Sequence, residues 1–139
     1  MGRHTVLVAA LATALVVAAP ANAAVRFTLT TTSKTPKVGE QWRWTVTVRE
    51  GGKPVSARVK LQILFGQMIV GCWTGGKMAQ CKNGAAAGDP IAFNGRRTGV
   101  IAWTADSVGV PLTFQAVVTA GKQTRRLGTP VQVRAAGTG

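Results

Sequence analysis

Along most of this 139-residue chain, apolar side chains recur at every second position, the period of a strand with one buried face. In "VRFTLTTT", Val25, Phe27 and Leu29 fall on one face against Arg26, Thr28 and Thr30. "QWRWTVTVRE" sets Trp42, Trp44, Val46 and Val48 against Arg43, Thr45, Thr47 and Arg49. The alternation continues through "VSARVKLQILF" (Val55 to Phe65), "PLTFQAVVTA" (Leu112, Phe114, Ala116, Val118) and "TPVQVR" (Val131, Val133). These runs are rich in β-branched and aromatic residues, which suit a pleated, half-buried surface. Trp42, Trp44 and Trp103 read as core residues. Between the runs, "SKTPKVGE", "EGGKP", "NGAAAGDP", "ADSVGVP" and "TAGKQT" supply Gly, Pro and Asx turn chemistry. Residues 82–94 form the longest candidate loop. The pattern predicts an all-β antiparallel sandwich of about seven strands.

The N-terminus breaks the alternation. A basic start (Arg3, His4) leads into an apolar run from Val6 to Ala19, then Pro20 and the small-residue site Ala21-Asn22-Ala23. This predicts a signal peptide over 1–23, a sandwich domain over 24–135 and a short tail over 136–139. The mature chain is then expected to carry no membrane span and to be secreted or associated with the cell envelope. An oxidising compartment makes the two cysteines a disulfide candidate.

Export sharpens the charge. The full chain has a net charge of +13. Without residues 1–23, sixteen Lys and Arg face four acids (Glu40, Glu50, Asp89, Asp106), giving +12. The only histidine, His4, leaves with the signal, and the chain has no tyrosine. General acid–base and metal chemistry thereby lose their usual residues. We therefore expect no catalytic residue, no metal ligand and no cofactor: a binding or structural protein rather than an enzyme.

The stretch "GCWTGGKMAQC" holds both cysteines. Their spacing fits neither a two-residue redox pair nor half of a four-ligand zinc site. A hairpin with Cys72 opposite Cys81 would leave Gly76-Lys77 as its two-residue loop, with Gly at the first position of a type II′ turn. That register places the cysteines at a non-hydrogen-bonded pair, close enough for a disulfide. It puts Met68, Val70, Cys72, Ala79 and Cys81 on one face, and Ile69, Trp73, Met78 and Gln80 on the other. Both faces are apolar, whereas a sandwich covers one. Either the loop over 82–94 folds back on the Trp73 face, or Ile69, Trp73, Lys77 and Met78 form a contact surface for a partner.

The segments "TPKVGEQWRWTVTV", "GGKPVSARVKLQI" and "ADSVGVPLTFQAVVTAGKQT" followed by "TPVQV" resemble bacterial secreted immunoglobulin-like domains. The resemblance covers nearly all of the mature chain and rests on turns and architecture. It implies an immunoglobulin-like sandwich with no inherited active site. In such an arrangement Arg58, Lys60, Gln62, Gln115, Gln132 and Arg134 would share one basic, amide-rich face.

The expected partner is therefore an anionic envelope polymer or another exported protein, bound without specific nucleic-acid recognition. Two rivals stand beside it. The "GCW…C" element and the architecture also resemble the apoproteins of chromoprotein antibiotics, which implies a small-molecule carrier. Alternatively, the stapled hairpin would serve as the rigid tip of an inhibitor.

Overall fold

A computed structural model describes residues 24–81 and 88–137. The expected signal peptide, the first part of the long loop and the end of the tail lie outside the described residues.

Among the described residues, ten strands form two antiparallel sheets. In chain order they are β1 (Val25–Thr31), β2 (Gln41–Glu50), β3 (Lys53–Pro54), β4 (Ser56–Phe65) and β5 (Met68–Thr74). Then come β6 (Lys77–Gln80), β7 (Ile91–Asn94), β8 (Arg96–Ala102), β9 (Leu112–Ala120) and β10 (Gln123–Val131). One sheet runs β1-β2-β3, with β8 on the other edge of β2; the second runs β10-β9-β4-β5-β6, with β7 also paired to β4. Without the two-residue β3, and with the run that is split between sheets counted once, the ten become eight. That run, β7–β8, crosses at Gly95, whose φ is 77°. A Cβ there would lie 2.4 Å from Pro54 Cβ, so the crossing requires glycine.

The two sheets bury the apolar faces of β2 and β9 and most of that of β4, and half-bury that of β1. Trp42, Trp44, Val46 and Val48 of β2 meet Val59, Leu61 and Ile63 of β4 and Phe114, Ala116 and Val118 of β9. Trp42 packs edge-on against Trp103 (ring centroids 5.3 Å apart) and Phe114 (5.0 Å). Its indole N–H donates to the Ser33 carbonyl at 2.7 Å. Beyond β10, residues 132–134 run parallel to the segment preceding β2, where the Val38 amide donates to the Arg134 carbonyl at 3.0 Å.

A sandwich has two lateral seams. One is closed where β1 approaches β10, with the Arg125 guanidinium 5.6 Å from the centre of the Phe27 ring. The other lies between β8 and the β5–β6 hairpin. The crossing at Gly95 closes one end of it, and the other end stands open.

Candidate ligand-binding site

The open end of that seam is a cleft of about 490 Å³. Ile63 and Phe65 of β4, Val70 and Gly71 of β5, and Met78 to Gln80 of β6 form one wall. Ile101 and Ala102 of β8, with Trp103, form the other. Thr104, Asp106, Ser107 and Val110 supply the rim, and Leu112 begins β9 at the base. The volume falls within the roughly 300–1,000 Å³ usual for small-molecule sites.

The stapled hairpin builds the first wall. Cys72 and Cys81 are bonded, with Cα atoms 5.2 Å apart. The strand register differs from the expected one. Cys72 faces Ala79, Trp73 faces Met78 and Thr74 faces Lys77, so the loop is Gly75-Gly76. Both loop residues have positive φ, 59° and 81°. Two positive φ values make a type I′ turn, whose twist matches the strands, and the Gly-Gly pair accommodates it without steric cost. The disulfide therefore joins Cys72 to the residue just past β6 rather than to its directly opposed partner. A shift of two residues preserves side-chain faces, so Trp73 and Met78 remain together. Asp89 clamps the turn from outside: its carboxylate accepts from the Gly75 amide at 3.0 Å, and its own amide donates to the Trp73 carbonyl at 2.7 Å.

The contact surface expected from Ile69, Trp73, Lys77 and Met78 is divided by a β-bulge. Ile63 pairs with Gly71 but Leu64 pairs with Ile69, leaving Val70 as the extra residue. Across it the phase of β5 changes. Trp73 turns into the sandwich, its ring edge-on to Trp44 with centroids 6.3 Å apart, and Met78 lines the cleft. Ile69 lies on the opposite face with Leu64, and Lys77 is exposed beside the turn. The bulge also brings both Val70 and Gly71 to the cleft wall. A Cβ on Gly71 would meet Ile63 at 3.1 Å, so this wall is drawn close to β4.

The outer face of the larger sheet holds part of the expected basic surface. Arg58 and Lys60 project from β4, and the register carries Lys60 through Val117 to Arg126 on β10. The Gln62 amide donates to Gln115 Oε1 at 2.6 Å, and Arg126 reaches the same oxygen at 3.5 Å. Arg134 does not join them. It lies eight residues beyond Arg126, on the order of 25 Å along an extended chain, beside Lys37. Arg126, absent from the expected face, is brought onto it by the long β9–β10 hairpin.

The rim was also missed, because "ADSVGVP" reads only as a turn. It is a single 3₁₀ turn over Ala105–Ser107. The Ser107 amide donates to the Thr104 carbonyl and the Val110 amide to the Ser107 carbonyl, while Val108 bridges Val133. Among the described residues, no group of three His, Cys, Asp or Glu side chains is placed to hold a metal ion. No family model, curated protein or solved structure matches the chain.

Proposed function

We propose that this chain is an exported, non-enzymatic binding module on an immunoglobulin-like sandwich, and that it carries a small apolar ligand in the inter-sheet cleft. The observation that carries this reading is the cleft itself. Elsewhere the two sheets bury their apolar faces against each other, but between β8 and the β5–β6 hairpin they leave about 490 Å³ lined mainly by apolar side chains. A disulfide-stapled wall is pre-organised, which lowers the ordering cost of binding. The parallel approach of residues 132–134 to the segment before β2 favours the immunoglobulin-like arrangement, and the disulfide favours a non-reducing compartment.

The test is a thermal-shift screen of small apolar compounds. A ligand present at about 100 times its Kd adds about 2.7 kcal/mol of stability. For a domain of this size that raises Tm by roughly 10 °C. The rise should vanish in Val110→Trp, which fills the cleft mouth. A screen without hits, or hits indifferent to Val110→Trp, would refute the reading.

A second reading concerns the exterior. Basic side chains occupy the outer faces of both sheets, and among the described residues none forms an ion pair. Arg26 even stands directly opposite Arg49 in the β1–β2 register, a like-charge pair that disfavours the sheet. Such a surface suits contact with an anionic envelope polymer. Retention on immobilised heparin that collapses with moderate salt is expected; elution at low salt would discard this reading.

A further inference from the structure

We infer that the cleft selects a small amphipathic molecule bearing a positively charged group, its apolar body between the sheets and its cation at Asp106. This rests on the cleft being a ligand site, and adds the chemical class of the ligand. The basis is a local inversion of charge. Sixteen basic residues follow residue 23, yet among the described residues none lines the cleft, and the one charged lining residue there is Asp106.

The chain's other three acids lie away from the cleft. Glu40 accepts from the Lys37 amide at 3.1 Å, Asp89 accepts from the Gly75 amide, and Glu50 ends β2 opposite Lys53. Asp106 alone stands on a cavity rim, with no described hydrogen-bond or ion-pair partner. Thr104 and Ser107 on the same turn, and Gln80 across the cleft, add polar groups beside it. The turn's own hydrogen bonds and the Val108–Val133 bridge hold the carboxylate at the mouth rather than on a free loop. Below it, Ile63, Val70, Met78, Ile101 and Leu112 offer only apolar surface.

A ligand anion would meet Asp106 with no cation among the described lining residues to offset the repulsion. A ligand cation gains the attraction of an exposed carboxylate, which at such sites amounts to no more than about fivefold in affinity. The apolar body supplies the rest of the binding.

The experiment is equilibrium dialysis of the purified protein at neutral pH against three probes sharing one aromatic body: 2-(1-naphthyl)ethylamine, 2-(1-naphthyl)ethanol and 1-naphthylacetate. Saturable one-to-one binding is expected, with the amine about three- to fivefold tighter than the alcohol and the carboxylate weakest. Asp106→Asn should bring the amine down to the alcohol's affinity and leave the alcohol unchanged. Val110→Trp should abolish binding of all three. Should Val110→Trp fail to fold, Asp106→Asn, which alters an exposed side chain, still decides the charge preference. Unchanged amine-to-alcohol selectivity in Asp106→Asn, or tightest binding of the carboxylate, overturns the ligand class while leaving the cleft as a site. No saturable binding of any probe overturns both.

Discussion

Removing the disulfide tests how the hairpin wall is held. In Cys72→Ala with Cys81→Ala, the cross-link being lost spans a sequence separation of 9, which closes a ten-residue loop. The chain-entropy relation for such a loop gives about 2.7 kcal/mol. Cys72 is 2% exposed, so trimming its sulfur also leaves a small void. The sum is about 3 kcal/mol, and at about 4 °C per kcal/mol for a domain of this size Tm should fall by roughly 12 °C. Scanning calorimetry of the oxidised protein, the reduced protein and the double variant measures this. The two disulfide-free forms should agree closely. The damage should also reach the cleft, since Val70, Met78, Ala79 and Gln80 all belong to the stapled hairpin. Naphthyl-probe affinity is therefore expected to weaken along with stability. A fall in Tm below about 3 °C would refute the reasoning. The hairpin would then be fixed by the Asp89 clamp on Gly75 and Trp73 and by Trp73 packing on Trp44, with the disulfide redundant.

Three further outcomes test other parts of the account. Gly99→Ala would place a Cβ 2.5 Å from the Trp44 ring, which is 1% exposed and has no room to retreat. A loss of about 2 kcal/mol in urea unfolding is expected, and a neutral result would mean that the ring shifts freely. Gly95→Ala combines a left-handed backbone with a 2.4 Å approach to Pro54, so at least about 3 kcal/mol should be lost; under 1 kcal/mol would show that the crossing does not depend on glycine. Arg126→Glu should weaken heparin binding about fivefold, and more than Arg134→Glu does, because Arg126 shares a face with Lys60 and Arg58. Equal effects would mean that only the total charge matters.

The sandwich was legible because a strand buried on one face must alternate, and the residues expected inward from β2, β4 and β9 are buried except Phe65, which is 43% exposed at the end of β4. The disulfide was legible for a similar reason: two cysteines flanking a glycine turn have few ways to meet. What failed was register. Both Gly75-Gly76 and Gly76-Lys77 satisfy a two-residue turn on paper. The choice between them depends on the twist of the paired strands, which a single segment does not encode. Arg126 and Arg134 carry the same sequence signal. Only the length of the β9–β10 hairpin places the first beside Lys60 and the second far along the edge.

The surplus of apolar residues on both faces of the 68–81 segment was the sequence's sign of an apolar site, and the bulge explains it. Strict alternation would set Ile69 and Trp73 on one face and Met68, Val70 and Cys72 on the other. The extra residue at Val70 ends that parity. Trp73, Gly71 and Val70 turn inward, while Ile69 and Cys72 keep to the other face of the sheet with Leu64 and Gln62, where Cys72 and Gln62 are nonetheless buried. The hairpin thus brings more apolar surface to the inter-sheet side than β8 covers. Beyond Ile101, β8 ends at the exposed Ala102 and gives way to Trp103 and the polar turn at Ala105–Ser107. An apolar wall left partly uncovered opposite a polar rim suits a ligand with an apolar body and a polar end. The segment that left open a loop-covered face or a surface for a partner is, by this change of phase, the wall of a cleft.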